Sequence, residues 1–184
     1  MKPYTIFVVA VALAAGGAAA RADSLDINLN NESIQATYAA ELRAAEFNVG
    51  ALYNDDRDDW VVSMGIVASG EGQGGTRTEA GLGGKIYGAS VDNQDLLALG
   101  LGGQFRVFPG NGPVGIGAYG FYAPDIVTGM DGKKFWEAGA RLEFELVRRT
   151  ANIYLGYRKV RAEFTNGTEA TIDSGGHVGV RISF

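Results

Sequence analysis

Long runs in which apolar and polar residues alternate are the feature that most constrains the fold of this chain. In the segment 95–109, Leu97 and Leu101 fall on one side of an extended chain, whereas Gly100 and Arg106 fall on the other. The same period recurs in the segments 59–69, 77–88, 135–149, 150–160 and 175–184. Successive side chains of a strand point to opposite faces, so a period of two predicts β-strands. The chain is therefore predicted to be all-β.

Turn-forming residues divide these runs into about ten predicted strands. The predicted strands cover residues 24–30, 33–42, 45–54, 59–69, 76–90, 95–108, 113–123, 134–147, 150–163 and 174–184. Good helix formers between residues 38 and 53 leave open a helical turn there, and eight strands would then remain. No repeat or linker divides residues 23–184, so we expect a single domain without substantial helix.

Glycine is unusually abundant for a chain that is not collagen-like. The sequence contains 28 glycines, four prolines and no cysteine, and the glycines do not recur at every third position. Plentiful aromatic and aliphatic residues exclude a disordered chain. The absence of cysteine excludes disulfides and thiolate metal sites. Acidic residues outnumber basic residues by 21 to 16, so nucleic acid is not expected as a partner.

The first 22 residues have the layout of a secretory signal peptide. Lys2 precedes an apolar run, and Ala20 and Ala22 supply the small residues that a signal peptidase reads. We predict a signal peptide at 1–22 and cleavage between Ala22 and Asp23. A membrane-spanning helix is the alternative, but the apolar run is too short for it and is interrupted by glycines.

Alternation alone does not decide which face of the sheet is buried. A soluble barrel or sandwich buries its apolar face, whereas a membrane barrel turns that face to lipid and lines its lumen with polar groups. Several predicted strands are longer than the about 5–6 residues of globular strands and reach or exceed the about 9–11 that cross a bilayer. Glycine is frequent on the polar face, which suits a narrow lumen, and aromatic residues gather near strand ends. We predict a closed antiparallel transmembrane β-barrel.

Several segments resemble the YfaZ family of predicted bacterial outer-membrane proteins. They are "GLGGKIYG" (81–88), "LLALGLGGQFRVFP" (96–109), "GIGAYGFYAPD" (115–125), "FWEAGARLEFELVRRTANIYLGYRKV" (135–160) and "GVRISF" (179–184). The resemblance covers most of residues 23–184 and implies a barrel in the outer membrane of Gram-negative bacteria. It also implies transient contact with periplasmic chaperones and the barrel-insertion machinery, and a surrounding of outer-membrane lipid and lipopolysaccharide. It supplies no catalytic residues.

Charged residues on the predicted lumen face are the main candidates for a functional role. They are Arg77, Glu79, Lys85, Arg106, Glu137, Arg141, Glu143, Glu145, Arg158 and Arg181. Charges in a narrow, partly dehydrated interior must be paired or hydrated. Two interpretations follow: a network of ion pairs that plugs the barrel, or a constricted pore with a charged lining. A lumen of about ten strands is barely wider than its side chains, which favours the plug.

Other motifs offer little support for catalysis or cofactor binding. His177 is the only histidine, and Ser183 on the same face is too far along the strand to reach it. The G-x-G-x-x-G match at 115–120 lies in an alternating strand, where it cannot cradle a pyrophosphate. We therefore predict no cofactor, no metal and no enzymatic activity. A closing strand that ends on Phe184 resembles the carboxyl-terminal signal for barrel insertion.

The expected function is that of an integral outer-membrane barrel, either structural or porin-like with a narrow pore. An outer-membrane enzyme that acts on lipid or peptide and a soluble periplasmic ligand-binding barrel are the alternatives. A monomer is the expected state.

Overall fold

The computed structural model describes residues 23–72 and 75–184, and the predicted signal peptide lies outside the described residues. Eleven strands account for most of them: β1 (Ser24–Leu29), β2 (Ser33–Leu42), β3 (Ala45–Asn54), β4 (Asp59–Gly72), β5 (Arg77–Val91), β6 (Gln94–Phe108), β7 (Val114–Ala123), β8 (Thr128–Met130), β9 (Gly132–Val147), β10 (Ala151–Phe164) and β11 (Glu169–Ser183). Two single turns of 3-10 helix, at Pro109–Asn111 and Asp125–Val127, separate β6 from β7 and β7 from β8. Within the described ranges, no helix is long and apolar enough to cross a membrane.

The sheet closes on itself as an antiparallel barrel. β1 pairs with β2 on one side and with β11 on the other, in a register that runs from Ser24↔Ser183 to Leu29↔Val178. Because β5 also pairs with β6, the sheet has no open edge between them. The barrel of ten long strands confirms the predicted fold class. Residues 38–53 lie in β2 and β3, so the eight-strand alternative with a helical turn there is wrong.

The short strand β8 continues β7 after an outward bulge. β6 pairs with β7 at Leu101↔Tyr122 and with β8 at Ala98↔Thr128. These two pairs are three residues apart on β6 but six residues apart on the opposing chain. The excess residues form the 3-10 turn Asp125–Val127, whose Ile126 is almost wholly exposed. The barrel wall therefore keeps its hydrogen bonds to β6 above and below the bulge.

The barrel has two ends, which we call the terminal end and the distal end. The terminal end carries Ser24, Ser183 and the turns that follow β2, β4, β6 and β9, and the distal end carries the remaining turns. Two distal segments expected to be loops are largely strand. The hairpin within 90–95 turns on Asp92 and Asn93 alone, both with positive φ, and β11 begins at Glu169 rather than at 174. Positive φ at both residues fits the twist of the flanking strands.

The outer surface is apolar around the middle of the barrel. Exposed large apolar side chains occur on every strand of the wall, including Ile27, Met64, Leu101, Leu155 and Val180. A continuous band of this kind is not stable in water but suits the hydrocarbon of a bilayer. Two cross-strand pairs of aromatic residues, Tyr53↔Trp60 and Tyr122↔Trp136, lie at the distal border of the band. Such rings mark the lipid–water boundary of membrane barrels.

Beyond that border the outward face of the strands becomes polar and the inward face becomes apolar. On β10, Lys159 and Arg161 point outward, whereas Val160, Ala162 and Phe164 are buried inside. Alternation in the sequence becomes irregular near 158–160 because the strand leaves the apolar band there. A register shift in the β10–β11 pairing follows at Val160 and Arg161, opposite the extra residue Ile172 of β11. The distal end is thus built like a soluble barrel with an apolar core.

Interior glycines make room for aromatic rings on neighbouring strands. A Cβ atom built on Gly179 would lie 2.3 Å from Cζ of Tyr154, its partner across β10 and β11. A Cβ atom on Gly139 would lie 2.6 Å from the ring of Tyr119, its partner on β7. Both rings therefore lie flat over a glycine backbone inside the narrow lumen.

Candidate functional site: a filled lumen

The ten charged residues predicted for the lumen all face the barrel interior. Ion pairs within 4.0 Å connect six cationic side chains to seven carboxylates there. The network draws in three carboxylates that the sequence did not single out, those of Asp26, Glu46 and Asp173. The opposite charges nearly cancel, so the network can be stable in an interior largely closed to water.

Glu143 is the centre of the network near the middle of the barrel. Arg106 donates to both of its carboxylate oxygens, at 3.0 and 2.7 Å, and Arg141 donates at 2.8 Å. Asn152 adds a further hydrogen bond at 3.0 Å. A carboxylate with two guanidinium partners and an amide donor is fully satisfied although it is almost completely buried. Arg141 also reaches Asp26 at 2.9 Å, which ties β9 to β1 across the lumen.

Arg158 forms a second centre closer to the distal end and has no exposed surface. Its Nε donates to Asp173 at 2.6 Å, Nη1 donates to Asn28 at 2.7 Å and to Gln35, and Nη2 donates to Ser33 at 3.1 Å. These partners come from β1, β2 and β11, so one side chain joins four strands. The fork of donors on a guanidinium makes this possible, and a lysine could not replace it.

The remaining predicted charges are paired along the wall. Arg77 donates to Glu145 at 2.5 Å, and its guanidinium carbon lies 4.0 Å from the centre of the Phe108 ring. Lys85 donates to Glu137 at 3.0 Å, and Tyr87 donates to the same oxygen at 2.8 Å. Arg181 is held less tightly: it donates to Ser24 at 3.0 Å and lies 3.8 Å from Glu46. Glu79 completes the set through Arg106, at 2.7 Å.

The distal section of the lumen is filled by apolar side chains. The largest of them, Phe135, Phe164, Ile172, Leu96 and Val91, have at most 1% of their surface exposed. Phe135 packs on Tyr87, with ring centres 4.5 Å apart, so the apolar cluster rests directly on the charged network. We call this group the distal plug. Because its side chains are out of contact with water on every side, they fill the cross-section that they occupy.

The terminal end, by contrast, opens into a polar cavity of about 460 Å³. Its lining includes Glu41, Arg77, Glu79, Arg106 and Arg181. A smaller cavity of about 100 Å³ lies deeper, beside Lys85, Tyr119 and His177. The lumen therefore narrows from the terminal end and ends against the plug.

His177 and the glycine motif have structural surroundings. The His177 ring packs edge-on against Tyr154, with centres 5.8 Å apart, and lies over Gly156. Its Nδ1 is buried without a hydrogen-bond partner in the described part of the chain, and this is not the geometry of a general base held by an acid. The glycines at 115–120 lie inside β7. Among the described residues, no group of three His, Asp or Glu side chains is placed to hold a metal ion.

Phe184 follows the last strand at the seam where the barrel closes. Its backbone N–H donates to the carbonyl oxygen of Asp23 at 2.8 Å, and its side chain is exposed beside the lipid-facing residue Ile182. The two ends of the described chain therefore meet at the terminal end of the β1–β11 pair.

Closed antiparallel pairing, an apolar exterior and a charged interior define the class of outer-membrane β-barrel proteins. The chain belongs to the YfaZ precursor family, whose match extends over residues 1–184. This confirms the resemblance that the sequence motifs indicated. A comparison with curated proteins found no match.

Solved structures of outer-membrane proteins resemble the barrel at low sequence identity. The outer membrane channel DcaP of Acinetobacter baumannii aligns over 86% of this chain, with 10% identity and a TM-score of 0.40, and this chain spans about half of it (54%). Neisserial surface protein A aligns over 89% of this chain and 94% of its own, with 12% identity and a TM-score of 0.34. OmpT, an outer membrane protein of Vibrio cholerae, aligns over 82% and 64%, with 14% identity and a TM-score of 0.30. At this level of similarity, none of them assigns an activity to the chain.

Proposed function

We propose that this protein is a structural outer-membrane barrel whose lumen is closed to ions and solutes. The distal plug is the observation that carries the proposal, because its side chains leave no surface in contact with water. The network around Arg158 adds a second closed layer beneath it. A conducting pore needs a hydrated path along its whole length, whereas here buried side chains fill the section beyond the polar cavity.

In the same proposal the terminal end faces the periplasm. An even number of antiparallel strands brings both ends of the described chain to the same end of the barrel, and we assign that end to the periplasm by analogy with other bacterial barrels. A signal peptidase would cleave between Ala22 and Asp23, and Phe184 would be read by the barrel-insertion machinery with the help of periplasmic chaperones. No catalytic step is included, and His177→Ala should leave any lipid- or peptide-cleaving activity of the membrane fraction unchanged.

Planar bilayer recording separates a closed barrel from a narrow pore. We expect the folded wild-type protein to give no discrete current steps at any voltage that the membrane withstands. A variant with the plug removed, Phe135→Ala/Phe164→Ala/Arg158→Ser, should give steps, because it opens both closed layers. The matched control replaces lipid-facing residues, Leu142→Ala/Phe144→Ala/Ile153→Ser, and should remain silent.

Heat-modifiable migration on SDS gels would identify the folded fraction of each protein before recording. Discrete steps from the wild type would favour the narrow porin-like pore instead. A folded plug variant without current would contradict the assignment of the closure to the plug, because the lumen would then be closed by something other than these side chains.

A further inference from the structure

Basic residues on the outer surface of the strands are confined to one sector of the distal end. They are Lys133 and Lys134 on β9, and Lys159 and Arg161 on β10. We call this group the outer basic patch. In the described part of the chain, every other lysine or arginine lies in a turn or points into the lumen. Such one-sided placement is not needed for solubility, which dispersed charge would serve equally well.

The patch carries more positive charge than its own acidic residues neutralise. Glu163 accepts from Lys133 at 2.8 Å and from Lys134 at 2.9 Å, so one carboxylate is shared by two ammonium groups. Arg161 pairs with Glu169. No carboxylate of the described residues lies within ion-pair distance of Lys159. Four cations therefore face two ion-paired carboxylates, and Asp125 is a further carboxylate that acts on Lys134, so a smaller positive surplus is available to an anionic partner.

The patch begins where the apolar band ends. Leu155 and Tyr157 face outward along β10, and Lys159 and Arg161 follow at the next two outward positions. The Nζ atom of Lys159 lies 6.0 Å from the centre of the Trp136 ring, and Trp136 is paired directly with Arg161. Lysine and arginine beside a boundary tryptophan sit at the depth of lipid headgroups, with their stems over apolar surface and their charges toward phosphate.

We propose that the outer basic patch binds the phosphate groups of lipopolysaccharide in the outer leaflet. Surplus positive charge at headgroup depth, a boundary tryptophan and the exposed Ile126 on the bulge between β7 and β8 match a phosphorylated headgroup with acyl chains beneath it. Lipopolysaccharide is the phosphorylated lipid of the leaflet that the distal end meets, and this choice of lipid rests on the orientation given under the proposed function. Each lysine close to an anionic lipid surface contributes about fivefold to affinity.

The test uses purified full-length mature protein in neutral detergent micelles, titrated with bisphosphorylated lipid A. A Trp60→Phe background leaves Trp136 as the one tryptophan, because the chain has two, and its emission reports binding at the patch. The patch variant is Lys134→Gln/Lys159→Gln. The control is Arg43→Gln/Arg148→Gln, which removes the same charge from exposed turns at the terminal end.

We expect the patch variant to bind lipid A about 25-fold more weakly, from about fivefold for each lysine, while the control keeps the affinity of the background protein. Lipid A without phosphates should bind as weakly to the background protein as intact lipid A binds to the patch variant. Equal losses in both variants would overturn the proposal, since bulk charge would then be responsible. Equally tight, lysine-dependent binding of phosphatidylglycerol would overturn the choice of lipid.

Orientation is tested separately, so its failure can be told apart from that of the patch. The chain contains no cysteine, so Asn166→Cys in the distal turn between β10 and β11 gives a single label site. A membrane-impermeant maleimide should label it in intact cells. Labelling only after the outer membrane is permeabilised would contradict the orientation and hence the lipopolysaccharide assignment, even if phosphate binding in micelles persists.

Discussion

The Arg158→Met substitution tests the buried network most severely. Arg158 has no exposed surface, donates to four residues on three other strands, and is the partner of the buried carboxylate of Asp173 at 2.6 Å. Methionine keeps much of the side-chain volume but removes every donor. Asp173 would retain only the hydrogen bonds from Asn30 at 2.9 Å and Ser33 at 3.1 Å. Removing one partner of a buried ion pair costs about 3–5 kcal/mol, and we expect the free energy of unfolding to fall by that amount.

The assay is equilibrium unfolding in urea of protein refolded into phospholipid vesicles, followed by tryptophan emission. Both tryptophans lie at the border of the lipid-facing band, so their emission changes when the barrel leaves the bilayer. Arg148→Met, in an exposed turn at the terminal end, is the control and should change stability by less than about 0.5 kcal/mol.

A second substitution separates the ion pair from packing. When Arg158 is replaced, the charge of Asp173 is left unpaired. Asp173→Asn removes that charge but keeps the oxygen that accepts hydrogen bonds from Asn30 and Ser33. The double variant Arg158→Met/Asp173→Asn should therefore be more stable than the sum of the two single losses predicts, by about 2 kcal/mol. Strict additivity, or a loss below about 1 kcal/mol for Arg158→Met alone, would show that the buried ion pair does not hold these strands together.

Three further substitutions test the wall of the barrel. Gly179→Ala should cost about 1–3 kcal/mol because the new methyl group would overlap the Tyr154 ring, whereas Gly175→Ala on the same strand meets nothing closer than 3.9 Å and should be nearly neutral in the same urea assay. Leu155→Arg places a charge on the lipid-facing band and should cost about 2–4 kcal/mol in vesicles, a loss that should be much smaller in detergent if the position faces lipid. Phe184→Ala should reduce the amount of folded barrel in cells more than it reduces stability in vesicles; equal membrane yields from quantitative immunoblots would argue against its role as an assembly signal.

The sequence was sufficient for the class of fold. Alternation over long segments predicts strands whichever side faces lipid, and strand length with glycine on the polar face then distinguishes a membrane barrel from a soluble one. Predicted strand boundaries near the terminal end agree closely with the structure because tight turns such as 148–150 carry clear turn residues. At the distal end the main misses were the start of β11, at Glu169 rather than 174, and the short strand β8, which was not predicted.

The charged residues of the lumen could be predicted from the sequence, but Asp173 and the distal plug could not. Charges inside the lipid-facing segments stand out because the opposite face is uniformly apolar, so Arg106, Arg141 and Glu143 could be placed in the lumen from periodicity alone. Asp173 lies between the predicted strands 150–163 and 174–184, so it was not assigned to a strand face. Its pairing with Arg158 depends on the register of β10 against β11, including the bulge at Ile172, which local pattern does not determine. The distal plug was missed because buried apolar residues such as Phe164 lie directly beside polar turns.

Heat-modifiable migration tests whether residues 23–184 form a closed barrel in the outer membrane. Outer membranes from cells expressing the full-length protein are extracted and run on SDS gels with and without boiling. We expect the protein in this fraction, and we expect the unboiled band to migrate differently from the boiled chain, because a closed barrel resists SDS until heated. A soluble protein in the periplasmic fraction, with a band that boiling does not change, would contradict it.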